Sequence, residues 1–166
     1  MAQITLKGKT IHTIGELPAT GTVAPDFVLT NGELQDVSLA DFAGQRKLLS
    51  IVPSLDTGLC AISAERFNAA VADQENLVML NISADLPFAA GRICECKSLD
   101  RVTTLSTFRS PSFGTDYGVQ ITDGPMAGLC SRAVLVLDTD NTVLHAEQVP
   151  EITQEPDYAA ALAALA

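Results

Sequence analysis

Residues 53 to 60 read PSLDTGLC, and this stretch contains the cysteine best placed for nucleophilic chemistry. Cys60 follows Thr57 by three positions and stands shortly after the apolar run 47 to 53. A cysteine in the first turn of a helix faces unpaired backbone amides and the positive end of the helix dipole, both of which favour the thiolate. Full ionisation of an ordinary thiol adds only ~30-fold in nucleophile at neutral pH, so faster chemistry needs donors that stabilise the transition state.

Two other side chains are candidates for such donors. Thr57 carries a hydroxyl three residues before the cysteine. Arg132 immediately precedes an apolar strand expected over residues 133 to 137, at the end of the loop DGPMAGLCSR. We expect that strand to lie in the same sheet as the strand before Cys60, which would let Arg132 reach the head of the helix. The helix position by itself fits a buried core cysteine equally well.

The elements that must position these groups follow from the pattern of apolar residues. KLLSIVP (47 to 53) and NLVMLNIS (76 to 83) are short apolar runs typical of buried strands. Between them, from Leu59 to about Ala72, a helical period places four residues on one face, namely Cys60, Ala64, Phe67 and Val71. This strand, helix and strand put Cys60 on the inward face of the helix, at the carboxyl edge of the sheet.

The remaining elements are predicted from turn signals and composition. In chain order they are a hairpin with Gly8 in its turn, short strands around Asn31-Gly32, a short helix from Pro87 toward Cys94 with Asp85 as its cap, a hairpin over 133 to 138 and 142 to 149, and an alanine-rich helix after Pro156. This order predicts an α/β protein with a thioredoxin-like central mixed sheet, flanking helices and an N-terminal β-hairpin extension.

Length, composition and charge limit the class of protein. The 166 residues, 47% of them hydrophobic, suffice for one compact domain spanning residues 1 to 166. The formal net charge of −10 and the lack of a Lys/Arg cluster argue against nucleic acid and membrane partners. No secretory signal or bilayer-length apolar segment is recognisable, so we expect a cytoplasmic protein whose four cysteines stay reduced.

Other chemistries fit the residues less well. A zinc site would draw on Cys94, Cys96, Cys130 and a histidine, but the Cys-Glu-Cys spacing is tighter than the two-residue gap usual for tetrahedral zinc. A thioredoxin-like dithiol exchanger needs Cys-x-x-Cys, and Thr57 stands at the first of those positions. A serine hydrolase would need a Gly-x-Ser-x-Gly turn, which the chain lacks. We therefore expect neither a metal nor a cofactor.

PSLDTGLC resembles the peroxiredoxin pattern of Pro, three residues, Thr, two residues and Cys, in the version found in thiol peroxidases, which are atypical two-cysteine peroxiredoxins. The resemblance continues through SADLPFAAGRIC, VTTLSTFR, YGV, DGPMAGL with SRAVLVLD, and EITQEPDYAAALAAL, and so covers nearly the whole chain. It implies a thiol-dependent peroxidase that reduces hydrogen peroxide and organic (alkyl or lipid) hydroperoxides in antioxidant defence.

The resemblance also implies roles for individual residues. Cys60 takes the position of the peroxidatic cysteine, and Thr57 that of the hydroxyl that bonds thiolate and peroxide. Pro53 takes the position that shields the pocket from water, and Arg132 that of the arginine that polarises thiolate and peroxide. Cys94 takes the position of the resolving cysteine, which forms an intramolecular disulfide with Cys60. Thioredoxin would reduce that disulfide, and similar proteins are usually homodimers.

Two cysteines are extra to this pattern and leave alternatives open. Cys96 stands two residues past Cys94 and could capture the sulfenic acid in its place, although the register of RIC favours Cys94. Cys130 precedes Arg132 by two residues, and we expect it to be simply a small residue that is partly buried. A redox sensor that passes oxidation to a partner would use the same cysteines, and only catalytic turnover separates it from a peroxidase.

A disulfide between Cys60 and Cys94 places a demand on the fold. Their Cα atoms must come within ~7 Å, although the two residues lie on different expected helices. We therefore expect both segments to unwind locally before the disulfide forms, and Gly58 and Gly91 lower the cost of that unwinding.

Overall fold

A computed structural model describes all residues from 1 to 166. The strands are β1 (Gln3–Leu6), β2 (Lys9–His12), β3 (Val28–Thr30), β4 (Asp36–Ser38), β5 (Arg46–Ile51), β6 (Leu77–Ser83), β7 (Val102–Ser106), β8 (Ala133–Leu137) and β9 (Val143–Gln148). The α-helices are α1 (Gly58–Ala70), α2 (Pro87–Lys97), α3 (Ser112–Asp116) and α4 (Tyr158–Ala163), and a 3-10 turn covers Leu39–Phe42. None of the helices combines the length and apolar character needed to cross a bilayer.

Seven strands form one mixed sheet in the order β4-β3-β7-β6-β5-β8-β9, while β1 and β2 pair separately as the predicted N-terminal hairpin. β6 runs parallel to both β5 and β7, whereas β8 runs antiparallel to β5. Since α1 connects the parallel strands β5 and β6, it must start beyond the carboxyl end of β5 and cross back over the sheet. The predicted α/β architecture is confirmed, and it brings the starts of α1 and β8 to the same edge.

The sheet is buried on both faces because its central strands are apolar on both sides. On one face, Phe67 of α1 and Val71, the C-cap of that helix, pack in a cluster with Leu48 of β5 and Met79 of β6. The four residues predicted to share the inward face of α1, namely Cys60, Ala64, Phe67 and Val71, are all fully buried. This packing fixes the rotation of α1 and with it the direction of Cys60.

Two expectations about the middle of the chain differ from the structure. The strand β7 was not predicted, because VTTLS mixes threonines with only two apolar residues and three of its five positions are partly exposed. The prediction that Asp85 caps α2 is wrong: the N-cap is Leu86, Pro87 occupies the first helical position, and no side chain caps the helix. The helix also continues past Cys94 to Lys97.

Candidate active site

The loop between β5 and α1 presents Cys60 in the first turn of α1. Thr57 is the N-cap residue, with extended backbone (φ −123°, ψ 149°). Its hydroxyl accepts the backbone N–H of Cys60 at 3.4 Å and donates to the carbonyl of Ser54 at 3.2 Å. The cap therefore fixes the backbone of Cys60 through a side chain, as N-cap threonines commonly do. The Cys60 side chain is fully buried at this position.

Arg132 reaches Cys60 from the residue before β8. Its Nη1 donates to Cys60 Sγ at 3.2 Å, and its Nε donates to the carbonyl of Ile152 at 3.0 Å. The side chain is only 4% exposed. A buried guanidinium held at two points acts as a fixed cation, and it can donate to an anionic atom bound beside the sulfur.

Glu151 supports this arrangement from the other side, and sequence reasoning missed it. Its carboxylate accepts from the hydroxyls of Thr153 (2.6 Å) and Thr5 (2.7 Å) and from the amides of Lys7 (2.9 Å) and Gly8 (3.0 Å). These hydrogen bonds hold the Glu151 pKa well below its usual range, and the bond from the Thr153 hydroxyl has the largest effect. The hairpin β1–β2 is thereby fastened to the segment that supplies the acceptor for Arg132. The only sequence signal was the EIT within the stretch that resembles the thiol peroxidases.

A cavity of about 200 Å³ opens beside these groups. It is lined by Pro53, Thr57, Leu59, Met126, Arg132, Ile152 and Thr153. Arg132 both lines the cavity and bonds the Cys60 thiol, so a small molecule that enters meets the cation that holds the sulfur. The structure thus brings together Pro53, Thr57, Cys60 and Arg132, an arrangement suited to stabilising negative charge that moves from sulfur to a bound oxygen.

Comparison with known proteins identifies the family. The redoxin family model matches residues 19–162. The chain is 52% identical over 165 residues to the thiol peroxidases of Mycobacterium tuberculosis and Mycobacterium bovis, and the match covers 99% of this chain and 99% of theirs. The chain belongs to the redoxin family, among its thiol peroxidases. It is a peroxiredoxin-type peroxidase, as the sequence motifs predicted.

Solved structures give the same assignment for this thiol peroxidase. A peroxiredoxin-like protein from Aquifex aeolicus superimposes with a TM-score of 0.92 at 32% identity, covering 99% of this chain and 96% of that one. The thiol peroxidase from Chromobacterium violaceum superimposes with a TM-score of 0.91 at 25% identity, covering 98% and 94%. The thioredoxin-like fold expected from the order of elements is therefore confirmed.

The other cysteines of this thiol peroxidase lie in distinct surroundings, and all four thiols are free. Cys94, on α2, is half-buried against the cluster of Leu55, Ala64, Ala90 and Leu99, and burial raises the pKa of its thiol. Cys96 is exposed two residues later. Cys130 is buried, and this burial is the main reason that the pKa of its thiol rises to about 12. It lines a separate cavity of about 340 Å³. No group of three or more His, Cys, Asp or Glu side chains is arranged to hold a metal ion.

Proposed function

We propose that this peroxidase uses Cys60 as its peroxidatic nucleophile, Cys94 as its resolving cysteine and thioredoxin as its reductant. The Cys60 thiolate attacks one peroxide oxygen, a sulfur–oxygen bond forms as the oxygen–oxygen bond breaks, and the departing oxygen takes up a proton to leave as water or an alcohol. Sulfur is oxidised by two electrons to sulfenic acid, and the peroxide is reduced by two.

The second half of the cycle regenerates the thiol. The sulfur of Cys94 attacks the sulfenic acid of Cys60, a disulfide forms, and the sulfenic oxygen leaves as water. A thioredoxin dithiol then exchanges with this disulfide, so that both cysteines return to thiols and thioredoxin becomes oxidised. Each turn consumes one peroxide and one reduced thioredoxin.

The bond of 3.2 Å between Arg132 Nη1 and Cys60 Sγ is the observation that carries this proposal. In the transition state, negative charge moves from sulfur toward the departing oxygen, and a cation that contacts the sulfur and lines the adjoining cavity can stabilise both ends. Thr57 also lines the cavity; its hydroxyl proton bonds the Ser54 carbonyl in this structure and would turn to a bound peroxide as the second donor. Pro53 lines the same cavity and limits access of water.

The substrates, assembly and location belong to the same proposal. Leu59 and Met126 give the cavity further apolar walls, which suits alkyl and lipid hydroperoxides as well as hydrogen peroxide. A homodimer is proposed from the resemblance to thiol peroxidases, and the exposed apolar side chains of Leu86, Phe88 and Phe108 are candidates for its interface. A cytoplasmic location agrees with a cycle that begins from free thiols and needs reduced thioredoxin.

Three serine variants test the roles of the cysteines, with peroxide consumption coupled to thioredoxin and thioredoxin reductase. Cys60→Ser should be inactive, and Cys94→Ser should react once and stop. Cys96→Ser is the matched control, the same change two residues along the same helix, and should turn over normally. Peptide mapping after one equivalent of peroxide should yield a peptide linking Cys60 to Cys94.

The outcomes separate the alternatives. Turnover by Cys60→Ser would remove Cys60 as the nucleophile, and a peptide linking Cys60 to Cys96 would reassign the resolving cysteine. A single stoichiometric oxidation of the unmodified enzyme, without turnover under thioredoxin, would favour a redox sensor over a peroxidase cycle.

A further inference from the structure

The carboxylate of Asp85 bridges the two segments that carry the reacting cysteines. It accepts hydrogen bonds from the Ser54 hydroxyl at 2.6 Å, the Leu55 amide at 2.7 Å and the Ser83 hydroxyl at 2.8 Å. Ser54 and Leu55 belong to the loop that leads into Cys60, whereas Asp85 itself directly precedes Leu86, the N-cap of the helix that carries Cys94. One side chain thus ties the entry of α1 to the entry of α2.

We propose that Asp85 is a positioning residue that holds both segments closed and thereby sets how readily Cys60 and Cys94 form their disulfide, an inference that rests on the proposed function of these cysteines. Carboxylates make stronger hydrogen bonds than neutral acceptors, and this one has three donors, two of them from the loop before Cys60. Loss of those bonds should favour the locally opened state over the closed one.

Both thiols are free in the closed arrangement, and different contacts hold each of them. Cys60 is fully buried and bonded to Arg132. Cys94 packs against the cluster formed by Leu55, Ala64, Ala90 and Leu99. Its backbone carbonyl accepts the amide of Leu99 at 3.0 Å, which closes the end of α2. Burial also raises the pKa of the Cys94 thiol, which disfavours its nucleophilic thiolate until the segment opens. Opening must therefore precede disulfide formation.

The bond from Asp85 to Ser54 continues through the loop to the cap of α1. The Ser54 hydroxyl also accepts the amide of Asp56 at 3.1 Å, and the Ser54 carbonyl accepts the hydroxyl of Thr57 at 3.2 Å. Asp85 itself makes no hydrogen bond with Cys60 or Arg132 and does not line the cavity beside them. Its loss should consequently alter the opening of the site far more than the reaction with peroxide inside the closed site.

Asp85→Asn is the decisive variant because it keeps the size of the side chain. An amide retains one acceptor oxygen but turns an NH₂ donor toward groups that also donate. Asp56→Asn is the matched control: it makes the same chemical change in the same loop, at an exposed residue whose carboxylate accepts no hydrogen bond. Gly91→Ala should act in the opposite direction, because a Cβ there meets nothing within 4 Å and alanine stabilises a helix interior.

The first measurement is the single-turnover rate of disulfide formation. The chain has no tryptophan, so the reaction is stopped by rapid alkylation and read by peptide mass mapping. Asp85→Asn should form the Cys60 to Cys94 disulfide about tenfold faster, which corresponds to ~1.4 kcal/mol lost from the closed state. It should also accumulate less sulfinic acid in excess peroxide. Gly91→Ala should slow the disulfide roughly fivefold, and Asp56→Asn should match the unmodified enzyme.

The second measurement needs no peroxide, so it distinguishes failure of this inference from failure of the proposed function. Alkylation of Cys60 in the fully reduced protein, and hydrogen exchange at the Leu55 amide, report opening directly. Both should be about tenfold faster in Asp85→Asn. Unchanged rates of opening and of disulfide formation would overturn the inference. If Asp85→Asn does not fold, Ser54→Ala, which removes one donor, should accelerate opening about threefold, and an unchanged rate in that variant would likewise overturn the inference.

Discussion

Replacing Arg132 by methionine separates two contributions that the guanidinium can make. The side chain is 4% exposed and its Nη1 lies 3.2 Å from Cys60 Sγ, so methionine removes a buried cation while keeping an unbranched chain. By promoting ionisation of a thiol, a cation can raise the rate of attack by at most ~30-fold at neutral pH. A fixed donor to charge that develops in the transition state is worth ~10²-fold to 10³-fold. We therefore expect Arg132→Met to slow peroxide attack by at least ~100-fold at neutral pH.

The assay measures formation of the sulfenic acid in a Cys94→Ser background, so that no disulfide follows. The rate constant is followed from neutral pH into the alkaline range until it no longer rises with pH, so that variant and parent are compared with the Cys60 thiol fully ionised. If Arg132 stabilises the transition state, the alkaline plateau of Arg132→Met stays ~10²-fold below that of the parent. Equal plateaus would refute this reasoning and limit Arg132 to ionising Cys60.

Two further variants check that the effect is specific. Arg132→Lys keeps the charge, but a single ammonium cannot reproduce the guanidinium that bonds both the sulfur and the Ile152 carbonyl. Its alkaline plateau should therefore fall between that of the parent and that of Arg132→Met. Arg109→Met makes the same change at an exposed arginine paired with Asp36 and should leave the rate unaltered. A comparable loss in Arg109→Met would indicate a general effect of removing positive charge.

Glu151 and Cys130 differ from ordinary surface residues in ways that can be measured. Glu151→Gln should destabilise the protein at neutral pH; because the Glu151 pKa is depressed in the folded state, this contribution is complete above the ordinary value of 4.5 and is lost as the pH falls below it. The difference in urea unfolding free energy between variant and parent should thus shrink on acidification, and a constant difference would contradict the assignment. Cys130, with its pKa raised to about 12 mainly by burial, should resist iodoacetamide in the folded protein while exposed Cys96 reacts; mass spectrometry that found Cys130 labelled first would contradict its burial.

The parts of the site that the sequence predicts best are those set by local pattern. The apolar runs of β5 and β6 and the inward face of α1 are short-range signals, and they place Cys60 in the first turn after Thr57. The bond to Arg132 depends instead on the pairing of β5 with β8, in which Ile51 stands opposite Ala133. Because that pairing joins segments far apart in the chain, the sequence predicted only that Arg132 lies near the start of α1. It did not predict the hydrogen bond between Arg132 and Cys60.

The sequence predicted Asp85 as the cap of α2, which is one residue before the observed N-cap, Leu86. A proline favours the first helical position, so Pro87 makes Leu86 the N-cap, and Asp85 falls outside the position from which a carboxylate can accept the free amides of the first turn. Three donors are available to it instead, from Ser54, Leu55 and Ser83, and only the last is near in sequence. The same holds for Glu151, whose partners lie in the N-terminal hairpin as well as beside it. Carboxylates with several long-range donors thus hold the loop before Cys60 and the acceptor of Arg132. Local patterns in the sequence therefore predict Thr57, Cys60 and Arg132 as candidates but do not reveal the carboxylates that keep them in position.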